Sequence, residues 1–303
     1  MEIAPAPTKA RVTSLLPNDV LARVERLRIN PQKRYTNRSR GEHVAQRSGS
    51  SIEFKDYRDY SDGDDIRFVD WNIFSRLHRP YIKLFHEEEE MHIVLLVDAS
   101  NSMKFEGKFE RAKELAAAFG VMGLSGTEKV SICAFNQREG RITRLRPHTG
   151  RSSRRALFSF IEQIDAGGDG PVDVGIEAML REHRGRGCVV VLSDFLTQGD
   201  LRRSFNLVYS AGLELFALQV LGPTELEPEV NNDLRLVDSE TGLTLDVSSG
   251  GDIVKLYQEY REAFQRHVEA LATSRNGRML TTSAKDPLEY VLFDQLRRRA
   301  WIR

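Results

Sequence analysis

The sequence predicts an α/β fold with a mainly parallel central sheet and helices on both faces. From residue 92 onward, short β-branched apolar runs alternate with longer stretches of helical period, as in strands joined by crossover helices. The runs at 92–100 and 188–194 are continuously apolar, which is typical of strands buried on both faces. A chain of 303 residues, 40% hydrophobic and 29% charged, is large enough to bury a substantial core.

Periodicity assigns each element in turn. Strands are expected at 92–100, 130–135, 141–145, 188–194 and 213–222. Helices are expected at 108–124, 153–164, 172–183, 199–211 and 251–275, followed by a last one near the end of the chain. Residues 234–247 place a Thr-Gly turn between two alternating runs, which predicts an edge hairpin.

The segment before residue 92 has a different composition. Aromatic, Arg and Asp residues follow one another closely from residue 53 to 76, with the turn signal SDGDD between two runs. This pattern predicts a small β-rich elaboration. We therefore expect residues 1–90 to form an N-terminal helical and basic segment with a β-rich subdomain, and residues 91–303 to form the main α/β domain with C-terminal helices.

Charge and composition narrow the function classes. The 44 basic and 44 acidic residues balance, which argues against a generic nucleic-acid binder. The balance is uneven along the chain: residues 1–50 carry six excess basic residues and residues 51–98 six excess acidic ones. We expect the basic block to dock onto the adjacent acidic segment, with nucleic-acid contact as the alternative.

The chain also lacks the sequence signals of a membrane or secreted protein. Its apolar runs fall far below the roughly 20 residues that span a bilayer, and its first residues do not resemble a secretory signal. Two cysteines, each inside an apolar run, are typical of buried thiols in a reducing compartment. We expect a cytoplasmic protein without a membrane span.

The candidate site lies where two buried strands end. Asp98, Ser100 and Ser102 follow the first strand in the sequence DASNSM, and Asp194 follows the strand at 188–194. Ligands gather at the carboxyl ends of strands in open α/β sheets, and carboxylate and hydroxyl oxygens suit Mg²⁺. If the two strands are neighbours, Asp98 and Asp194 converge on one point. The alternative is that each Asp only caps a loop or helix.

These motifs resemble two related families. DxSxSM after a buried strand is similar to the first loop of the metal-ion-dependent adhesion site (MIDAS) of von Willebrand factor A-type domains. The upstream stretch EFKDYRDYSDGDDIRFVDWNIFSR, with GEHVAQRSGSSIEF at 41–54, resembles the signature of the bacterial domain-of-unknown-function family 58, in which such a segment precedes an A-type domain. The resemblance covers roughly residues 20–300 and implies a Rossmann-like sheet with helices on both faces.

The resemblance also implies metal-binding roles. Ser100 and Ser102 would bind Mg²⁺ or Mn²⁺ directly, Asp98 through water, and Asp194 would match the Asp of the third loop. One position departs from the family, because Val172 stands where the second loop usually has a Thr. Either Asp169 or Asp173 substitutes, water fills the position, or metal affinity falls. We expect weak or partner-dependent metal binding, with Asp173 as a helix N-cap.

The upstream signature allows two interpretations. Its alternating acids and bases could form a catalytic acidic cluster, or a buried or semi-buried ion-pair network that pins the subdomain to the main sheet. We favour ion pairs. The residues concerned are Arg58, Asp62, Asp64, Asp65, Arg67 and Asp70, with Tyr57, Tyr60 and Trp71 between them.

Common enzyme signatures are absent from the sequence, including phosphate loops, a nucleophile elbow and histidines at metal-ligand spacing. Together with the resemblance to A-type domains, this absence leads us to expect a non-enzymatic, metal-dependent interaction module whose cation accepts an acidic group from a partner protein. The resemblance implies that this partner is a MoxR-type AAA+ ATPase acting in chaperone-like maturation or assembly of protein complexes. A metal-dependent hydrolase and a metal-free interaction scaffold are the alternatives.

Overall fold

The computed structural model describes residues 11–32, 53–86, 91–196, 199–228, 234–237, 244–247 and 250–303. The chain divides into two compact units. The smaller unit spans Arg34–Glu90, and the larger combines Met1–Lys33 with Met91–Arg303.

Two short helices and a strand pair precede the main sheet: α1 (Asn18–Val24) in the larger unit, and β1 (Glu53–Asp59), α2 (Trp71–Leu77) and β2 (Tyr81–His86) in the smaller unit. Strands β1 and β2 pair antiparallel, so the predicted β-rich elaboration is present. Asp70 ends the turn before α2 and caps this helix, because its carboxylate accepts from the backbone N–H groups of Asn72 and Ile73.

The larger unit is built on a six-stranded sheet. Its remaining elements are β3 (His92–Asp98), α3 (Lys108–Leu124), β4 (Lys129–Phe135), β5 (Thr143–His148), α4 (Arg154–Glu162), α5 (Val172–Glu182), β6 (Gly187–Ser193), α6 (Leu201–Ser210), β7 (Leu213–Leu221), α7 (Pro223–Leu226), β8 (Leu234–Val237), β9 (Thr244–Val247), α8 (Gly250–Thr273), β10 (Arg278–Ser283), α9 (Leu288–Tyr290), a π-helical turn (Val291–Gln295) and α10 (Leu296–Arg298). The strand order is β10-β7-β6-β3-β4-β5. All neighbours are parallel except β5, which runs antiparallel to β4.

The continuous apolar runs are explained by two core layers. Along β3, Ile93, Leu95 and Val97 pack with α3 and α4 on one face, whereas Val94 and Leu96 pack with α5, α6 and α8 on the other. A strand covered on both faces needs apolar residues at every position. The predicted fold class, a mainly parallel sheet with helices on both faces, is confirmed.

Two details differ from the sequence prediction. The strand β10 was not predicted, although the short run RMLTTS after Gly277 contains two β-branched threonines. Its Met279 and Leu280 face opposite core layers at the edge of the sheet. The hairpin predicted at 234–247 is present, with β8 and β9 antiparallel and Leu234 opposite Val247, but it forms a separate two-stranded sheet and does not extend an edge of the six-stranded one.

Residues 11–32 belong to the same unit as the main sheet, whereas their composition had placed them with residues 51–90. Ile29 forms an antiparallel bridge with Ile302, which joins this segment to the end of the chain. Arg23 pairs with Glu289 and stacks on Phe293, so this residue of the basic block finds its partners outside the acidic segment. Residues 33–50 of the block lie outside the described residues, as do residues 87–90 of the acidic segment.

Within the described part of the chain, no helix is both long and apolar enough to cross a membrane. Cys133 and Cys188 are free thiols and are buried, as their apolar surroundings predicted.

Candidate functional site

The two strands that carry the candidate site are direct neighbours. β3 and β6 pair in parallel, with Val97 opposite Leu192, so both end at the same edge of the sheet. Asp98 is the last residue of β3, Asp194 follows β6, and each is 2% exposed. The hydroxyl of Ser193 donates to Asp98 Oδ2 at 2.7 Å and joins the two strand ends. The two aspartates therefore come together as the sequence predicted.

The first loop folds tightly around Asp98. Its Oδ1 accepts from the backbone N–H of Ser100 at 3.0 Å, which closes a turn of the kind that Asp favours. The hydroxyl oxygens of Ser100 and Ser102 then lie 2.9 Å apart. The loop thus presents two adjacent hydroxyls beside a buried carboxylate.

Asn136, which was not among the predicted site residues, connects the first loop to the second. It follows β4 with a positive φ of 55°, a conformation that Asn tolerates better than most residues. Its amide donates to Asp98 Oδ1 at 3.2 Å and to the carbonyl of Gly170, and its Oδ1 accepts from the N–H of Gly170 at 3.0 Å. An Asn directly after a buried strand was the available signal.

The environment of Asp98 disfavours its ionised form. Burial and the nearby Asp194 carboxylate raise the pKa of Asp98 to about 7, although hydrogen bonds from Ser193, Ser100 and Asn136 oppose the shift. Removal of a carboxylate from water costs free energy unless a cation compensates it. Near neutral pH, a cation beside Asp98 would stabilise this carboxylate.

A buried lysine that was not among the predicted site residues contacts the other carboxylate. Lys108 begins α3, is 0% exposed, and donates from Nζ to Asp194 Oδ2 at 2.8 Å and to Glu225 Oε1 at 2.6 Å. Burial alone would lower the pKa of Lys108, but the charges of Asp194 and Glu225 outweigh it and raise the pKa above its ordinary value. Lys108 is therefore a cation at neutral pH.

The remaining contacts of these carboxylates are with backbone groups. Asp194 Oδ1 accepts from the N–H of Leu196 at 3.1 Å. Glu225 lies in α7, where its Oε2 accepts from the N–H of Gly222 at 2.6 Å. Burial raises the pKa of Glu225, and Lys108 opposes this change.

The second loop supplies a different structure from the one expected at Asp173. Pro171 occupies the N-cap position of α5, so the prediction that Asp173 caps this helix is wrong. Instead, Asp173 Oδ1 accepts from the N–H of Val174 and Asp173 Oδ2 from the N–H of Asp200, both at 3.0 Å. Asp173 thereby links α5 to the start of α6. Val172 is buried at 2% exposure, and its side chain has no oxygen to offer a metal.

The donor set fits a hard divalent cation in chemical type. Two hydroxyls and two carboxylates are oxygen donors of the kind that Mg²⁺ prefers. With Asp98 ionised, three carboxylates and the ammonium of Lys108 leave a net charge of −2 around the site. In the described segments, no group of three or more His, Cys, Asp and Glu side chains could hold a metal. A cation here would depend on serine hydroxyls and water.

The acidic signature of the smaller unit forms ion pairs. Arg58 pairs with Asp64 at 2.9 Å, and Arg67 with Asp65 at 2.6 Å. Asp70, besides capping α2, lies 3.1 Å from Nζ of Lys83 and accepts from the hydroxyl of Tyr57 at 3.1 Å. These pairs join residues within the smaller unit, and the side chain of Arg67 is 83% exposed; the ion pairs are present, and the expected link to the main sheet stays a prediction.

Comparison with known proteins gives one family match and several distant similarities. Residues 56–270 match the model of the family described as "Protein of unknown function DUF58". An uncharacterized protein of Mycobacterium bovis is 28% identical over 255 residues, which are 80% of each chain. An uncharacterized protein of Mycobacterium tuberculosis matches with the same identity and coverage.

Solved structures resemble the chain only loosely. BatB from Bacteroides thetaiotaomicron is 16% identical, with a TM-score of 0.44, over 69% of this chain and 98% of that one. An aerotolerance-related membrane protein from Bacteroides fragilis is 18% identical, with a TM-score of 0.40, over 66% and 94% of the two chains. Proximal thread matrix protein 1 from the mussel byssus, with a zinc-occupied MIDAS motif, is 14% identical, with a TM-score of 0.33, over 43% and 38%.

Proposed function

The chain belongs to the DUF58 family, and we propose that it is a non-enzymatic interaction module that binds a partner protein through a divalent cation. The cation would be Mg²⁺ or Mn²⁺, held weakly at the carboxyl ends of β3 and β6. One observation carries the proposal: Asp98, the Ser100–Ser102 hydroxyl pair and Asp194 come together on loops from neighbouring strands.

Each residue of the candidate site would have a distinct role in binding the cation. The adjacent hydroxyls of Ser100 and Ser102 would contact it, and Asp98 and Asp194 would supply the compensating negative charge. Asn136 would keep Asp98 in place by donating to it. A bound cation supplies open coordination positions, which suit an acidic side chain of the partner. Because Val172 brings no oxygen from the second loop, affinity for the cation alone would be low.

The contacts of the two aspartates support a binding role over catalysis. Both oxygens of Asp98 accept hydrogen bonds from protein groups, and Asp194 is held by Lys108 and by the N–H of Leu196. A general base must instead be free to reach the proton that it abstracts. The arrangement therefore favours an interaction module over the alternative of a metal-dependent hydrolase.

Exposed apolar side chains near the loops favour a protein partner. Phe105, Val174 and Leu196 come shortly after Ser102, Val172 and Asp194 in the chain, and they are 51%, 54% and 43% exposed. Apolar residues around a polar centre are typical of protein–protein interfaces. By the family resemblance, the partner is a MoxR-type AAA+ ATPase in the cytoplasm, in chaperone-like maturation or assembly of protein complexes.

A metal-free scaffold is the second candidate, and Lys108 is the observation that favours it. Its ammonium already balances the charge of Asp194, so the loops have a cation of their own. Partner binding that persists in EDTA would support this second candidate.

The test is binding to the MoxR-type ATPase encoded nearest to this gene, measured by biolayer interferometry with Mg²⁺ and with EDTA. Binding is expected in Mg²⁺ for the wild-type chain, and is expected to be lost in EDTA and in Asp98→Ala. The matched control is Asp19→Ala, which removes an exposed carboxylate on α1 and should bind normally. Undiminished binding by Asp98→Ala and in EDTA would remove the metal bridge. Turnover of phosphoester or peptide substrates that Asp98→Ala abolishes would favour the hydrolase.

A further inference from the structure

The buried lysine has a role that the donor set does not explain. Resting on the cation site of the proposed function, we propose that Lys108 is a built-in competitor of the divalent cation. When metal is absent, the ammonium of Lys108 binds the carboxylate of Asp194. The lysine thereby sets the affinity of the site for metal. Lys108 is thus an affinity-determining residue of this site.

The geometry of Lys108 supports this role. The lysine is 0% exposed, so no contact with water can replace its two carboxylate partners, Asp194 at 2.8 Å and Glu225 at 2.6 Å. A buried lysine without such partners would be strongly disfavoured. Lys108 also begins the helix that follows the loop of Ser100 and Ser102. The ammonium and the hydroxyl pair therefore belong to one continuous segment.

Asp194 is the residue for which the two cations compete. Its Oδ1 accepts from the N–H of Leu196 and its Oδ2 from the ammonium of Lys108. A divalent cation that uses Asp194 must share an oxygen with the lysine or displace it. Two cations that share one buried carboxylate also repel each other.

The charge of the site sets the direction of the effect. With Asp98 ionised, the three carboxylates and Lys108 sum to −2, and removal of the lysine charge leaves −3. The more negative site attracts a divalent cation more strongly. By linkage, a bound cation weakens the contact of Lys108 with Asp194 to the same extent that the lysine weakens metal binding. Glu225 remains available to hold the ammonium when the cation is present.

The experiment is a calorimetric titration of the full chain with Mg²⁺ and with Mn²⁺, for wild type and for Lys108→Met. Methionine keeps an unbranched apolar side chain of similar length without the charge. We expect Lys108→Met to bind at least about tenfold more tightly than wild type. The matched control is Lys113→Met, which removes the same charge from the same helix and should titrate like wild type.

Each outcome decides the inference. Equal or weaker binding by Lys108→Met overturns it, as does the absence of binding by both proteins; binding by the variant alone supports it. If Lys108→Met does not fold in EDTA, it is refolded with Mg²⁺, and folding that needs the metal supports the competition. Failure to fold in either buffer overturns the claim that a metal can replace the lysine.

The titration needs no partner, so the inference and the proposed function fail separately. Tighter metal binding by Lys108→Met, together with metal-independent partner binding by wild type, keeps the inference and refutes the proposed function. Unchanged metal affinity in the variant, together with metal-dependent partner binding by wild type, refutes the competition by Lys108 and supports the proposed function.

Discussion

Replacement of Asp98 by Asn should stabilise the metal-free protein at pH 8. Asp98 is buried beside Asp194, and its pKa is raised from 3.8 to about 7. The unfolded chain holds this carboxyl near its ordinary pKa, so folding takes up a proton between these two values. The contribution of Asp98 to stability is fully present below pH 3.8 and is lost as the pH rises through 7. Asn remains neutral throughout and avoids this loss.

The size of the effect follows from the pKa. A change from 3.8 to about 7 corresponds to about 4 kcal/mol, since each tenfold change in proton affinity is worth about 1.4 kcal/mol. The hydroxyl of Ser193, which now donates to Asp98 Oδ2, loses an acceptor in the variant, at a cost of about 1 kcal/mol. We expect the free energy of unfolding of Asp98→Asn to exceed that of wild type by about 3 kcal/mol at pH 8. This difference should disappear near pH 4.

Urea unfolding in EDTA at pH 4, 6 and 8 measures the difference. The difference in the free energy of unfolding between the variant and wild type should increase with pH. Millimolar Mg²⁺ at pH 8 should decrease this difference by stabilising only wild type. A variant that is less stable than wild type at pH 8 in EDTA would refute the claim that Asp98 is an uncompensated buried charge. A gap that does not change with pH would refute it as well.

Substitutions at three further positions test other parts of the structure. Arg278→Met removes the guanidinium that lies 2.8 Å from the fully buried Glu214, whose Oε2 still accepts from the N–H of Gln32, so urea unfolding should show a loss of about 3–5 kcal/mol in the free energy of unfolding. Arg278→Lys should recover part of this lost free energy of unfolding. Gly168→Ala places a Cβ 2.7 Å from the backbone of Asn136 and should shift the second loop; partner affinity should then fall while a distant loop glycine tolerates the change. Val172→Thr should tighten Mg²⁺ binding several-fold by calorimetry, at a cost of about 1–2 kcal/mol in EDTA; unchanged affinity would contradict a missing second-loop ligand.

The parts of the fold that sequence patterns predicted are those with local signals. Continuous apolar runs marked β3 and β6, and the polar residues directly after them located Asp98 and Asp194. The convergence of the two followed from the tendency of parallel strands to end at one edge of a sheet. No long-range contact had to be known for this step.

The parts that were missed depend on contacts between distant segments. Lys108 opens an amphipathic helix, where a lysine ordinarily faces water, and only the fold brings it to Asp194 and Glu225, 86 and 117 residues away. Asn136 is likewise joined to Asp98 across 38 residues. The grouping of residues 11–32 failed for the same reason, because their partners lie near the end of the chain.

The most direct test of the central claim is a Mn²⁺ titration of the metal-free chain followed by electron paramagnetic resonance, which detects weak binding. We predict one Mn²⁺ per chain, displaced by excess Mg²⁺ and lost in the double variant Ser100→Ala, Ser102→Ala, while an exposed serine pair replaced by Ala has no effect. Wild-type chain that leaves all Mn²⁺ free at millimolar concentration, or a double variant that still binds one Mn²⁺, would contradict a cation site at the carboxyl ends of β3 and β6.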